Sequence, residues 1–315
     1  MTSRVGSDVP LDVGRLRLLR EVGLRGSIAG AARAMGLTPS AVSQQLALLE
    51  RETATALVDR SPRGVALTGA GQALSDRAAE VLDLLGVARA DLDRLAGSVS
   101  GSVTMAAVAS AAATVVSTAV TELRASRPGI EVRVRSAEPG RGLGLLLADD
   151  VDLAVVDEYD YVPLALPEHA VVRELCTEPL VVVRPAGARR RGRLSLTDLA
   201  DAAWVMPPED AACGRAVRAA CRTAGFEPRV RWETDDMLLL VRAVADGHGV
   251  AVLPRRSVAE DAAPVQVLPL AEPRLNRRLL AVARASVAER PVVAEVLDAC
   301  ERAAGPGIGH RTDTK

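Results

Sequence analysis

The chain has 315 residues, of which 49% are hydrophobic and 25% charged, and its formal net charge is −1. That length suits two or three globular domains, and a charge so near zero excludes any argument for nucleic-acid binding from the chain as a whole. No uninterrupted apolar run reaches membrane-spanning length, and Cys176, Cys213, Cys221 and Cys300 are scattered with no CxxC, which argues against a disulfide framework.

Met1–Pro10 reads as a loose tail without the apolar stretch of a signal peptide. Leu11, Leu16, Leu19 and Val22 form a helical stripe. Ser27 is a candidate N-cap for a helix with Ile28, Ala31, Ala32 and Met35 on one face, ended by Gly36. Thr38-Pro39 opens the next helix, with Thr38 as cap and Pro39 in its first turn, and Val42, Leu46 and Leu49 turned inward. Ala54–Ala66, with Arg-Ser-Pro-Arg-Gly at its middle, predicts a small β-hairpin.

Thr68-Gly69 then starts a long helix with apolar residues at Leu74, Ala78, Val81, Leu85, Ala88, Leu92 and Leu95. Alternating steps of four and three residues make a heptad seam, the pattern of a helix that pairs with another helix. From Gly71 to Leu95 it spans about 37 Å at the helical rise. Gly97–Gly101 is the clearest linker.

Beyond the linker, strands and helices alternate. Strands are expected at Val103–Val108, Ile130–Arg135 and Leu153–Val156, with helices at Ala111–Ala125 and Gly142–Ala148. A second set has strands at Leu180–Val183, Ala203–Met206, Arg229–Glu233 and Val250–Leu253, and helices at Ala211–Ala224 and Asp236–Ala245. A strand at Leu279–Ala283 and a helix at Val292–Ala303 follow. This is a parallel α/β pattern, read as two lobes in tandem. The resulting division is a flexible tail at 1–10, a helical domain with a β-hairpin at 11–68, a linker helix at 69–96, a two-lobed domain at 101–303 and a disordered tail at 304–315.

With Val42, Leu46 and Leu49 buried, Ser40, Ser43, Gln44, Ala47 and Arg51 share the opposite face of their helix. Short polar side chains let a helix backbone approach a groove, where Ser and Gln can hydrogen-bond to base edges or phosphates. The helix N-terminus adds N–H groups and a positive dipole end. The segment Asp12–Thr68 carries eight Arg against five acids. A three-helix bundle corner with a polar surface has the same periodicity.

The stretch GSIAGAARAMGLTPSAVSQQLALLERE, followed by LVDRSPRGVALTGAG, resembles the start of LysR-type transcriptional regulators, and the resemblance extends along the whole chain. It implies an N-terminal winged helix-turn-helix, a linker helix that pairs subunits, and a two-lobed domain with the fold of periplasmic binding proteins. By this resemblance Thr38, Pro39, Ser40, Ser43 and Gln44 contact DNA, and Arg60 and Arg63 belong to the wing. Leu74, Val81, Leu85, Leu92 and Leu95 line the dimer seam. The implied partners are a dyad-related DNA operator, a small-molecule effector, a second copy of the chain as dimer or tetramer, and RNA polymerase, all in the cytoplasm and with no cofactor. The family's usual Leu-Gly after the recognition helix is Thr53-Ala54 here, and its aromatic residue before the wing arginine is replaced at Val58-Asp59. Those departures put strain and a smaller side chain at the wing.

In open parallel sheets, ligands sit beyond the carboxyl ends of strands. Those ends supply Val108, Ser110, Asp157, Tyr159, Pro207, Asp210, Thr234 and Asp235 as effector contacts. Ser110 and Thr234 read as helix N-caps. The acids Asp157, Glu158, Asp160, Glu209, Asp210 and Asp235 point to a cationic or polar effector. The basic run Arg189–Arg193 reads as a solvated loop.

Two other classes compete with this reading. Cys213 and Cys221 share one expected helix, as a thiol-based redox regulator would need, but eight residues of helix separate their Cα atoms by about 12 Å where a disulfide needs roughly 4.4–6.8 Å. An enzyme is disfavoured: Gly140-Arg141-Gly142-Leu143-Gly144 breaks the nucleotide-loop pattern at Leu145, no GxSxG elbow is present at Gly97–Gly101, and the three His show no metal-ligand spacing.

Overall fold

The computed structural model describes residues 11–61, 64–95, 99–168, 170–187, 192–258 and 264–305. The tails expected at 1–10 and beyond Gly305, most of the Arg189–Arg193 run, and Arg63 lie outside them. The chain divides into two compact units, 1–97 and 98–315.

The first unit opens with three helices, α1 (Val13–Arg25), α2 (Ile28–Met35) and α3 (Pro39–Thr53). Each start is capped by the side chain of the residue before it. Asp12 accepts from the Arg15 N–H, Ser27 from Gly30 and Thr38 from Ala41. Gly26 and Gly36 end α1 and α2 in the left-handed conformation, at φ 59° and 65°. Leu18, Leu19, Val22, Ala31, Ala32, Val42, Leu46 and Leu49 form the core between the helices. The first helix begins at Val13 rather than Leu11 and runs on to Arg25, because Gly26 is the first residue that stops it.

A hairpin follows, β1 (Val58–Ser61) antiparallel to β2 (Gly64–Leu67). Then comes α4 (Gly69–Leu95). The Thr68 hydroxyl donates to the Ala56 carbonyl and accepts from the Gly71 N–H, tying the helix to the chain before the hairpin. Gly71 is required there: a Cβ would stand 2.0 Å from the Leu57 carbonyl oxygen.

The second unit begins with β3 (Gly101–Ala107), α5 (Ala109–Ala111), a π-helical stretch at Ala112–Val116, and α6 (Ser117–Ser126). It continues with β4 (Ile130–Ser136), α7 (Pro139–Leu147), β5 (Leu153–Tyr159) and the long β6 (Ala170–Pro185). Next are β7 (Ala203–Met206), α8 (Ala212–Thr223), β8 (Arg229–Glu233), α9 (Met237–Ala245), β9 (Ala251–Pro254) and β10 (Val265–Pro269). The unit closes with β11 (Asn276–Arg284), α10 (Ala285–Ala288) and α11 (Pro291–Ala304).

Two lobes are present, each with helices on both faces of its strands. In β5, Leu153 and Val155 face one cluster, packed by α6 and α11, while Ala154 and Val156 face another, packed by α7. In β6, Leu180 and Val182 join the α8 cluster and Val181 and Val183 the α9 cluster. Burial on both faces is why these strands are nearly continuous apolar runs.

The lobes are interleaved, not in tandem as the order of elements suggested. The path through the sheet is β10-β6-β11-β5-β3-β4, with β9 also paired to β6. β3 is parallel to β4 and β5, but β11 is antiparallel to both β5 and β6. The first half of β6 pairs with β11, and its second half pairs with β9 and β10 in the other lobe. The strand expected at Leu180–Val183 is therefore the last part of a 16-residue strand. Its first half, with exposed Val171 and Val172 and the charged Arg173 and Glu174, lacks the apolar run that marks a buried strand.

Candidate functional site

In the first unit α3 presents the polar face that its periodicity implies. Val42, Leu46 and Leu49 are wholly buried. Thr38, Pro39, Ser40 and Gln44 are exposed and Ser43 is half-buried. The Thr38 hydroxyl is 3.2 Å from the Ala41 nitrogen and 3.0 Å from the Ser40 hydroxyl, so it orders the first turn. The side chain of Arg60, which lies in β1, and the whole of Arg63 lie outside the described residues.

Glu50 explains part of the Leu49-Glu50 motif. Its Oε1 accepts from the Leu57 and Val58 N–H groups at 2.8 and 3.2 Å, which fixes the hairpin to the end of α3. Ala54 caps α3 in the left-handed region at φ 48°, the conformation for which glycine is the usual residue. Val58 is buried in the core despite its smaller volume.

The heptad seam of α4 splits into two parts. Leu74 is partly buried against the core of its own unit, and Ala78 is wholly buried. Val81, Leu84, Leu85 and Leu92 are 40, 70, 49 and 63% exposed. The side chain of Leu95 lies outside the described residues.

In the second unit the strand ends converge on a cleft between the lobes. A cavity of about 350 Å³ is lined by Glu138, Pro139, Arg141, Asp157, Leu164, Asp210, Ala212 and Arg215, among others. A narrow recess of about 40 Å³ adjoins it, sharing Glu138, Asp157 and Ala212, and adds Val108, Ser110, Tyr159, Pro207, Cys213, Asp235 and Met237. Seven of the eight expected effector residues therefore border the cleft. Thr234 does not: its hydroxyl accepts from the Asp236 N–H, and Asp236 rather than Thr234 caps α9. Ser110 is no cap either. It sits within α5, and its hydroxyl accepts from Arg277 Nη1 at 2.6 Å.

Beneath the recess lies a buried ionic network absent from the sequence reading. Arg277, with no exposed surface, donates from Nε and Nη2 to Glu178 Oε1 at 3.0 and 2.5 Å, and Nη1 lies 3.5 Å from Asp157 Oδ2. The Tyr159 hydroxyl donates to the same Asp157 oxygen at 2.9 Å. Burial raises the Asp157 carboxyl above its ordinary value, against the opposing pull of Arg277 and the Tyr159 hydrogen bond. Burial and the neighbouring Asp157 push the Tyr159 hydroxyl well up, so it stays a donor. Glu138 at the cleft mouth is raised by partial loss of hydration and then by the charges of Asp157, Asp235 and Asp210. Arg277 carried no local signal, and Glu138 carried one that was not used. Glu138 sits beyond a strand end by the same rule as the others, whereas the role of Arg277 depends on strand pairing.

The remaining acids have other tasks. Glu158 pairs with Arg278, Asp160 accepts from Asn276, and Glu209 is 3.4 Å from Arg222. Gly140, Gly142 and Gly144 lie in helix α7 and form no phosphate loop. Cys213 and Cys221 do share α8, where burial pushes both thiols up to about 12.

Two family models match. The bacterial regulatory helix-turn-helix protein, lysR family, covers residues 13–72, and the LysR substrate binding domain covers residues 96–305. The transcriptional regulator GbpR of Rhizobium radiobacter is 29% identical over 274 residues, covering 85% of this chain and 88% of that protein. A full-length OxyR variant from Pseudomonas aeruginosa has the same fold, with TM-score 0.68 at 18% identity over 92% of this chain and 95% of that one. CbnR complexed with its target DNA gives TM-score 0.56 at 19% identity, covering 93% of this chain and all of that one (100%).

Proposed function

This chain belongs to the LysR family of DNA-binding transcriptional regulators, and on that premise we propose that α3 reads the operator while the cleft of the second unit takes a cationic effector. One observation carries the first part. Ser43 and Gln44 lie on the outer face of a helix whose other side is fully buried, and their side chains make no hydrogen bond to the described residues. A polar face of that kind, led by a helix N-terminus, suits the major groove. Thr38, Pro39 and Ser40 lie at that N-terminus, where backbone N–H groups favour phosphate. Arg60 in β1, and Arg63, which is outside the described residues, are assigned to the flanking backbone.

The effector assignment rests on convergence. Glu138, Asp157, Asp210 and Asp235 border one cleft, and their mutual repulsion is felt at Glu138. A protonated amine or guanidine relieves that repulsion, while an anion adds to it. Arg141 and Arg215 border only the wider part, so the acidic end is the narrow one. Two copies pair through the exposed part of α4, from Val81 onward, and two recognition helices then address two half-sites. An effector that binds the closed lobes better than the open ones shifts the subunit arrangement by that difference in affinity. Binding energies alone suffice for this action, so the chain is assigned no catalytic step and works in the cytoplasm, where the chromosome is.

The test begins by selecting a duplex from a random library with the wild-type chain. Ser43→Ala/Gln44→Ala should lose preference for it over random DNA and keep salt-sensitive binding to both. An unchanged preference removes α3 as the reader. For the cleft, calorimetric titration that detects only neutral or acidic ligands overturns the cationic assignment.

A further inference from the structure

We propose that Arg51, at the far end of α3, contacts a DNA phosphate at the rim of the groove. The inference rests on the assignment of α3 as the recognition helix and adds a contact outside the set expected from the sequence. The local sequence Glu50-Arg51-Glu52 places a cation between two acids, which should cancel it. The fold separates them instead. Glu50 turns to the Leu57 and Val58 N–H groups, and Glu52 pairs with Arg15 at 2.8 Å. Both carboxylates are committed within the unit, and Arg51 is left exposed, its guanidinium making no hydrogen bond or ion pair to any described residue.

Arg51 also faces a usable space. An open groove of about 690 Å³ runs beside it, bordered by Gln44, Ala47, Leu48, Glu50, Ala54, Thr55 and Ala56, with the Glu50 Oε1 held by the Leu57 and Val58 N–H groups. Small side chains at Ala47, Ala54 and Ala56 keep that surface low. Ser40 and Arg51 are eleven positions apart on one helical face, about 16 Å along the axis. The major groove is about 12 Å wide. A helix whose first turns meet bases therefore carries Arg51 out to the sugar–phosphate edge, where its guanidinium finds an anion and no base edge. Charge complementarity commits the groove to a duplex backbone.

Binding to the selected duplex and to a random duplex is measured between 0.1 and 1 M salt for wild type, Arg51→Gln, Arg51→Lys and, as control, Arg77→Gln on α4. Loss of one phosphate contact should flatten the slope of log affinity against log salt by about 0.9, so that Arg51→Gln binds about eightfold less tightly at 0.1 M than at 1 M salt, each relative to wild type. Both duplexes should lose affinity alike, and Arg51→Lys and Arg77→Gln should keep the slope. The selected duplex is then scanned with single neutral methylphosphonates. One substitution should weaken wild type and leave Arg51→Gln unaffected. An unchanged slope, a loss confined to the selected duplex, or a scan with no position suppressed by Arg51→Gln overturns the proposal. Loss of sequence preference in Ser43→Ala/Gln44→Ala is scored separately, so failure of Arg51 is distinguishable from failure of α3. Should Arg51→Gln not fold, the scan with Arg51→Lys decides, because a shorter point charge should weaken that one position only.

Discussion

Arg277 and Glu178 are 99 residues apart in sequence, have no exposed surface, and meet through two hydrogen bonds to a single carboxylate oxygen. The pair lies where β11 and β6 run side by side, next to the recess, and Arg277 reaches on to Ser110 and Asp157. Removing one partner strands a buried charge. Arg277→Met should destabilise the second unit by about 3–5 kcal/mol, measured by urea unfolding of the full chain. Glu178→Met added to it should recover part of that loss, because Glu178 also accepts from the Arg256 N–H at 2.7 Å. Additive losses would show that the two do not act as a pair.

Glu138 should make stability depend on pH in a definite direction. Its carboxyl is raised in the folded protein, so the folded state holds the proton more readily than the unfolded chain does. Ionisation opposes folding. The folded state is favoured most below the ordinary carboxylate range and loses that advantage as pH rises through the raised value. Glu138→Gln should raise the unfolding temperature at pH 7.5 and change it little at pH 4. Equal shifts at both would contradict the coupling to Asp157, Asp235 and Asp210.

Ala54 carries a side chain in a conformation that L residues avoid at a cost of about 1–2 kcal/mol. Glycine relieves that strain but gives the unfolded chain more freedom. Ala54→Gly should stabilise the first unit by about 0.5–1 kcal/mol, seen as a higher urea midpoint with an unchanged slope. A loss of stability would mean that the methyl group has a packing role.

Cys213 and Cys221, held at about 12 by burial, carry almost no thiolate at neutral pH. Thiol reagents should label them only as the chain unfolds, and peroxide should leave DNA affinity unchanged. Rapid native-state labelling of either would restore the redox reading.

The outer face of α4 should hold the subunits together. Leu85→Asp/Leu92→Asp places charges in the exposed part of the seam and should halve the mass seen in sedimentation, whereas Leu74→Ala, at a partly buried side chain, should lower stability by less than the about 2–5 kcal/mol of a fully buried leucine. A dimer surviving the double substitution would move the interface elsewhere.

The caps at Asp12, Ser27 and Thr38, the stops at Gly26 and Gly36, and the inward stripe of α3 were legible because each acts within a few residues. A hydroxyl meets an N–H three positions on, and a helix repeats its faces every 3.6 residues. The rule that ligands sit beyond strand ends located the cleft for the same reason: it needs only the ends, not their order. What the tertiary structure decided was the partner of each strand. β11 returns antiparallel beside β5 and β6, and only that crossing brings Arg277 to Glu178 and Asp157. It likewise decided which acids are left to face the cleft, and that Leu74 turns into its own core while Leu85 does not. Such contacts join residues as much as 167 positions apart, so no local periodicity records them. They follow from which surfaces must be covered once the sheet has formed.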